Sequence, residues 1–190
     1  FVIKEAEGGF LLGNAAGQYA MVQTDGHIRM MSNGTVFNFV EVECSQTFYP
    51  GASVRLKNVY LDQVIGTGEK VANDSPLVME TLDEARQGQV WTIRRVSATN
   101  GTFILVNAKS GLGMDMAMQS SYRPLLWTAS NTSTNQLVYI IGEADSYQIK
   151  NVNRSSYYVN AVAKNGYLQS SPAYDDNLSV WSMVPAEPPV

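Results

Sequence analysis

Three segments of this 190-residue sequence repeat the same order of short apolar runs, and this repetition restricts the possible folds most strongly. Each segment opens on a strand-like run and closes on an aromatic residue. The opening runs and closing residues are Val54–Tyr60 with Trp91, Thr102–Ala108 with Tyr139, and Tyr147–Asn153 with Trp181. Each unit has about 42–45 residues, so the closing aromatic side chains are expected to meet in one shared core.

The pattern within the repeats predicts an all-β protein. Short alternating or β-branched runs are separated by turn residues at intervals of roughly 8–12 residues, and no segment keeps a helical period. Each of the three units contains four strand-like pieces. Three such units predict a β-trefoil, in which half of the strands close a barrel and the other half cap it, leaving no free sheet edge.

The repeats also set the expected domain limits. We expect the trefoil over residues 45–187, with repeats at about 53–96, 101–143 and 145–186, followed by a tail at 188–190. Residues 1–44 contain a weak fourth copy of the repeat and are expected to form an N-terminal β extension. The alternative takes residues 1–44 as the first repeat and leaves the chain from Tyr147 onward unexplained.

Composition excludes several classes of function. The formal net charge is −4, and no basic cluster is larger than Arg94-Arg95, which argues against nucleic-acid binding. No apolar run approaches the roughly 18–20 residues of a transmembrane helix, so no membrane insertion is expected. With Cys44 and His27 as the single cysteine and histidine, the sequence predicts no metal site, no cofactor and no internal disulfide. Cys44 is left as a buried thiol or a link between two chains.

Glycosylation signals occur more often than composition predicts. Six Asn-x-Ser/Thr sequences are present, against roughly two expected by chance. The signal at Asn73 is followed by Pro76, which disfavours it, and the remaining acceptors are Asn33, Asn100, Asn131, Asn153 and Asn177. This excess predicts a secreted glycoprotein whose signal peptide has been removed. The alternative is a turn-rich chain in which Ser, Thr and Asn form such signals by chance.

A short stretch of the second repeat combines residue types that suit sugar binding. Asp115 follows a strand-like run, Trp127 ends the run Leu125–Trp127, and Asn135 and Gln136 follow as a pair. An indole can stack on the apolar face of a pyranose, and a carboxylate can accept hydrogen bonds from two adjacent hydroxyls. The Asn135 amide can both donate to and accept from a hydroxyl, and Gln136 can orient the carboxylate.

In this order, the four residues resemble one lobe of the ricin-type (R-type) β-trefoil lectins. A lobe of that family has an Asp after its second strand, an aromatic residue in its third strand, and an Asn-Gln pair that opens a Gln-x-Trp motif. The resemblance implies a lectin that binds galactose- or N-acetylgalactosamine-type glycans through Asp115, Trp127, Asn135 and Gln136. It implies glycans and glycoproteins as partners, and a homo-oligomer or attachment to a larger protein to compensate for one weak pocket.

The sequence departs from the family pattern at several positions. Val138 replaces the Trp of the motif, and the disulfides of the family are absent. The first repeat keeps Asp62 and Gln89, but its aromatic position falls near Glu80, which predicts a degenerate secondary site. The third repeat has Asn160 instead of the Asp. One working pocket is therefore expected rather than three.

A β-trefoil protease inhibitor of the Kunitz soybean type is the alternative function. The length of the chain fits such inhibitors well, and Arg86 or Arg123 in an exposed loop would enter the protease cleft. The absence of disulfides weighs against this class.

An enzyme is not expected. Asp115, Asp145 and the pair Asp175-Asp176 are candidate carboxylates for glycoside hydrolysis, which needs two carboxyl groups on opposite sides of the scissile bond. Nothing in the sequence sets two of them opposite each other.

Overall fold

The computed structural model describes residues 2–6, 9–13, 16, 18–22, 28–32, 49–97, 101–116, 122–143, 145–154, 156–172 and 177–187. Contacts divide the chain into two compact units, Phe1–Cys44 and Ser45–Val190. His27, Cys44, Asp175-Asp176 and the tail 188–190 lie outside the described residues. No helix within the described ranges is long and apolar enough to cross a membrane.

The first unit contains one antiparallel sheet. Its four strands pair in sequence order: β1 (Val2–Ala6), β2 (Gly9–Gly13), β3 (Tyr19–Val22) and β4 (Ile28–Met31). The expectation of an extra β segment before the trefoil is confirmed.

The second unit contains twelve strands in three groups of four, which confirms the predicted β-trefoil. The first repeat contains β5 (Ser53–Asn58), β6 (Gln63–Gly66), β7 (Val78–Glu80) and β8 (Trp91–Ser97). The second contains β9 (Thr102–Asn107), β10 (Leu112–Asp115), β11 (Leu125–Thr128) and β12 (Val138–Glu143). The third contains β13 (Ser146–Asn151), β14 (Tyr158–Ala161), β15 (Leu168–Ser171) and β16 (Trp181–Pro185).

The outer strands of the repeats close a six-stranded barrel. The antiparallel pairs run around the ring as β5–β8, β8–β9, β9–β12, β12–β13, β13–β16 and β16–β5. The last pair joins the end of the third repeat to the start of the first, with Val54 opposite Pro185. Every barrel strand thus has a neighbour on both sides, so the ring has no unpaired edge.

Three hairpins, β6–β7, β10–β11 and β14–β15, cap the barrel. Backbone hydrogen bonds join each hairpin to the next: the Leu77 amide donates to the Pro124 carbonyl, the Met79 amide to Gly166, and the Ser170 amide to Tyr122. These bonds fix the spacing between the hairpins from which candidate binding residues project.

The closing aromatic residues lie in the core in two of the three repeats. Trp91 and Trp181 are fully buried, and their indole N–H groups donate to the carbonyls of Ile65 and Val159 at 3.0 and 3.1 Å. In the second repeat the equivalent position is Val138, which pairs with Asn151 as Trp91 pairs with Asn107. Tyr139, one residue later, is half-buried, so the aromatic alignment of this repeat is displaced by one position.

A buried asparagine ends the first strand of each repeat and joins it to the repeat that precedes it around the ring. Asn107 donates to the carbonyls of Gly88 and Val90 at 3.0 and 3.1 Å, and its side-chain oxygen accepts from the Ser110 amide. Asn58 and Asn151 make the corresponding bonds in their repeats. These three side chains satisfy backbone groups that would otherwise be buried without partners.

Candidate functional site

The β10–β11 hairpin brings Asp115 and Trp127 to one face of the second repeat. Gly113 lies opposite Trp127, and Asp115 lies opposite Leu125. Because alternate residues of a strand share a face, Asp115 and Trp127 are diagonal neighbours on this face, at a spacing of roughly 7–8 Å between Cα atoms. Asp115 is 4% exposed, whereas Trp127 is 44% exposed. The arrangement sets a large accessible apolar ring beside a buried carboxyl.

Gln136 joins the Asp115 carboxyl to the end of β11. Its side-chain nitrogen donates to Oδ2 of Asp115 at 3.1 Å and to the carbonyl of Thr128 at 3.0 Å. Its side-chain oxygen accepts from the Ser130 amide at 2.8 Å. A Cβ atom built on Gly113 would come within 2.7 Å of the Gln136 oxygen, so the absence of a side chain at Gly113 leaves room for the amide. The predicted contact between Gln136 and the Asp115 carboxyl is present.

The Asp115 carboxyl is only half satisfied by the protein. Oδ1 is buried and has no hydrogen-bond partner among the described residues. Burial raises the pKa of Asp115 above its ordinary value, and the hydrogen bond from Gln136 opposes part of that increase. Oδ1 is therefore a buried acceptor that lacks a donor, and a donor from a ligand would satisfy it.

Asn135 lies in the segment that closes the repeat and is bonded through its backbone to Met116, the residue after Asp115. Its backbone carbonyl accepts from the Met116 amide at 3.0 Å and from the Asn151 side chain at 3.1 Å. Its own side-chain amide makes no hydrogen bond within the described part of the chain, and the residue is half-buried. The backbone of Asn135 is thus fixed while its amide stays available.

The first repeat does not bring Asp62 and Gln89 together. Counted from the pairing of each first and second strand, the residues equivalent to Asp115 are Gly66 in the first repeat and Asn160 in the third. Asp62 lies four residues earlier, in a turn with φ of 58°, and its exposed carboxylate pairs with Lys57 at 2.5 Å. The hydrogen bond and the charge of Lys57 lower the pKa of Asp62.

Glu80 supplies the carboxylate that the alignment assigned to Asp62. It lies at the position of Trp127, opposite Val64, and a Cβ atom built on Gly66 would overlap its carboxylate. Gln89 donates to Oε2 of Glu80 at 2.9 Å, as Gln136 donates to Asp115. The sequence signal for this different source of the carboxylate was a pair of residues, a glutamate at the aromatic position and a glycine at the aspartate position.

Arg86 forms an ion pair with Glu80. Its guanidinium lies 3.0 Å from Oε1 of Glu80 and donates to the Gly68 carbonyl at 2.9 Å. The same oxygen of Glu80 accepts from the Gly68 amide at 3.0 Å. Both oxygens of this carboxylate are therefore paired within the protein. Arg86 is also anchored by these bonds, which does not match the free inserted side chain of a protease inhibitor.

The third repeat lacks both a carboxylate and an aromatic side chain at the equivalent positions. Asn160 replaces Asp115, Ser171 replaces Trp127 and Ser179 replaces Gln136. The Asn160 nitrogen donates to the Tyr158 carbonyl at 3.0 Å, while its buried oxygen has no partner among the described residues. Of the three repeats, the second alone combines a buried carboxyl with an exposed indole.

The other candidate groups are spread over the surface. Asn131, Asn153 and Asn177 are exposed, while Asn33 and Asn100 lie outside the described residues. Asp145 is an exposed residue of the β12–β13 turn. In the part of the chain that the structure describes, no group of three or more His, Cys, Asp or Glu side chains could hold a metal ion.

Known structures resemble this chain in fold. The designed threefold-symmetric protein ThreeFoil matches with a TM-score of 0.60 at 14% identity, over 70% of this chain and 97% of that chain. A Polyporus squamosus lectin, solved with the epitope Neu5Acα2-6Galβ1-4GlcNAc, matches with a TM-score of 0.61 at 17% identity, over 72% and 49%. The BEL β-trefoil matches with a TM-score of 0.57 at 16% identity, over 72% and 96%.

These matches support assignment of the chain to the β-trefoil fold class. The chain spans about half the length of the Polyporus squamosus lectin chain. No protein-family model matches the sequence, and the comparison with curated proteins gives no match.

Proposed function

We propose that this protein is a lectin that binds galactose- or N-acetylgalactosamine-type glycans through Asp115, Trp127, Asn135 and Gln136. The observation that carries the proposal is the buried Oδ1 of Asp115, which has no donor among the described residues. Sugar hydroxyls are donors of suitable size, and hydrogen bonds to a carboxylate are stronger than neutral ones.

The surroundings of the carboxyl match the two sides of a pyranose ring. The exposed indole of Trp127, on the same face, can cover the apolar C–H side of the ring. The side-chain amide of Asn135, which bonds no other described residue, can bond a further hydroxyl, while Gln136 holds the carboxyl in one orientation. The Polyporus squamosus lectin was solved with a galactose-containing epitope, which supports this class of ligand.

A single pocket for one monosaccharide gives a weak interaction. An affinity near 1 mM, about −4 kcal/mol, is expected for one monosaccharide. Useful binding would then need several copies, through a homo-oligomer or attachment to a larger protein. Glycan partners and the exposed acceptors Asn131, Asn153 and Asn177 fit a secreted glycoprotein, which we include in the proposal.

A glycan array tests the proposal with matched variants. Wild type is expected to bind galactose- or N-acetylgalactosamine-terminated glycans, and Asp115→Asn and Trp127→Ala are expected to lose most of that signal. Asp62→Asn and Tyr60→Ala are the controls, because they change an exposed carboxylate and an exposed aromatic ring of the first repeat. Equal signals for wild type and Asp115→Asn, with both proteins folded, would show that the second-repeat pocket is scaffold.

A further inference from the structure

A cavity opens between the segment that leads into β11 and the β14–β15 hairpin. Its volume is about 360 Å³, and it is lined by Arg123, Val162, Gly166, Tyr167, Leu168 and Gln169. Small-molecule sites range from about 300 to 1,000 Å³, so this cavity suits one small ring. None of the lining residues is one of the four residues of the proposed galactose site, Asp115, Trp127, Asn135 and Gln136.

Arg123 is held in a fixed position at this cavity. On one side, the Pro124 carbonyl accepts from the Leu77 amide at 2.9 Å, and on the other, the Tyr122 carbonyl accepts from the Ser170 amide at 2.6 Å. The Arg123 guanidinium lies over the Tyr167 ring, 4.0 Å from its centroid. Stacking on an aromatic face orients a guanidinium but uses none of its N–H donors.

The charge of Arg123 is not neutralised within the described part of the chain. No described carboxylate forms an ion pair with it, whereas Arg86 in the first repeat is paired with Glu80. No Asp or Glu of the described ranges lines the cavity. A guanidinium without a carboxylate partner favours an anionic ligand.

The remaining lining residues define what else the ligand must offer. Tyr167 and Val162 are 45% and 52% exposed, so the cavity presents accessible apolar surface beside the guanidinium. Gln169 is exposed, and its amide makes no hydrogen bond to another described residue. The ligand thus combines an oxyanion, an apolar face and hydroxyl groups.

We propose that this cavity is a second binding site that takes an acidic sugar, a pyranose carrying a carboxylate or a sulfate ester. The guanidinium of Arg123 pairs with the oxyanion through two parallel N–H donors. The C–H face of the ring covers Val162 and Tyr167, and a hydroxyl bonds Gln169. The buried carboxyl of Asp115 repels an anion, so the two sites select ligands of different charge. This second site does not depend on the proposed galactose pocket.

Ligand-observed NMR titration with monosaccharides tests the second site. Glucuronic acid and galactose 6-sulfate represent the two oxyanions, and glucose and galactose are their neutral counterparts. We expect at least one acidic sugar to bind tenfold or more tightly than its counterpart, with an affinity that falls as salt is added. Binding of glucuronic acid would identify a carboxylate as the recognised group, and binding of galactose 6-sulfate would identify a sulfate.

Arg123→Gln is expected to reduce acidic-sugar binding at least tenfold. Arg154→Gln is the matched control, because Arg154 lies over the Tyr157 ring at 5.3 Å but outside the cavity, and it should change binding less than twofold. Trp127→Ala should leave acidic-sugar binding intact even if it abolishes galactose binding, which separates this proposal from the first. Thermal unfolding of each variant checks that it is folded.

Two results would overturn the assignment. One is equal affinity for acidic and neutral sugars, or an equal loss in Arg123→Gln and Arg154→Gln. The other is inorganic sulfate that binds as tightly as galactose 6-sulfate, since the sugar ring would then contribute nothing.

Discussion

At the scale of single residues, the state of the Asp115 carboxyl decides what the second-repeat pocket can do. A buried acceptor without a donor costs about 1–3 kcal/mol, and Oδ1 of Asp115 is such an acceptor among the described residues. Gln136 satisfies only Oδ2. A ligand hydroxyl in the correct orientation recovers this free energy, whereas an epimer with a displaced hydroxyl does not. Discrimination between sugars would therefore depend mainly on one oxygen atom.

The first prediction is that acidification weakens glycan binding through Asp115. Burial raises the pKa of the free carboxyl above its ordinary value of about 3.9. A hydroxyl donor stabilises the ionised form, so the bound carboxyl has a lower pKa than the free one. The affinity is then complete above the free pKa and falls as the pH decreases through it. Calorimetric titration between about pH 8 and pH 4 measures this dependence.

Asp115→Asn provides the control for that prediction, because any residual affinity should not vary over the same pH range. Without ligand, the contribution of Asp115 to the free energy of unfolding changes with pH in the opposite direction to the affinity. A raised folded pKa adds stability that is complete below the unfolded pKa and is lost as the pH rises through the folded pKa. Asp115→Asn should therefore gain stability relative to wild type as the pH increases. A wild-type affinity that stays constant with pH would contradict an ionised Asp115 in binding.

At the scale of strands, register decides which side chains can form a site. The contact between Gln136 and Asp115 was predictable, because the motif residues follow one another along a hairpin and the segment after it. The position of Asp62 was not predictable. When only sequences are compared, an aspartate in the turn before a strand cannot be distinguished from an aspartate within the strand. In the first repeat two positions differ together from the second repeat: Gly66 replaces the aspartate, and Glu80 replaces the aromatic residue. A comparison of one position at a time does not detect such a paired change.

The second prediction concerns the buried asparagines that join neighbouring repeats. Asn107→Ala removes a side chain that bonds the Gly88 and Val90 carbonyls and the Ser110 amide. At roughly 1 kcal/mol for each lost bond to a buried group, we expect the free energy of unfolding to fall by about 2–4 kcal/mol. Urea unfolding followed by tryptophan fluorescence measures the change.

Asn73→Ala is the matched substitution for the second prediction, since Asn73 is exposed and its side chain bonds, among the described residues, only the Thr128 side chain. It should lower stability by less than about 0.5 kcal/mol. Similar losses in the two variants would mean that the asparagines at the strand ends do not join the repeats.

At the scale of the whole molecule, the repeats determine the fold and their differences determine the sites. Three units of four strands were predictable because each unit combines period-two apolar runs with regular turn signals. The replacement of the buried Trp by Val138 did not alter the ring, because packing against the core needs an apolar residue there rather than an indole. The Arg123 cavity was not predictable, since its residues come from two repeats and meet only when the hairpins assemble.

The third prediction is that residues 45–190 fold without residues 1–44. All six strand pairs of the barrel lie within this range, so its closure needs no strand from the first unit. We expect the shortened protein to unfold in one cooperative transition, with a Tm within about 5 °C of that of the whole chain. Differential scanning calorimetry of both proteins measures this. An aggregated product, or a Tm lower by about 10 °C or more, would assign the first unit a structural role in the trefoil.

The pairing of β5 with β16 also bears on how such a unit can be used in other proteins. The Ala186 amide donates to the Ser53 carbonyl at 2.9 Å, so the two ends of the trefoil lie side by side. A short peptide could join them, and the chain could be opened between any two repeats to give a circular permutant with the same barrel. For the same reason, the unit could be inserted into a surface loop of a host protein as a cassette, because its two attachment points are already adjacent.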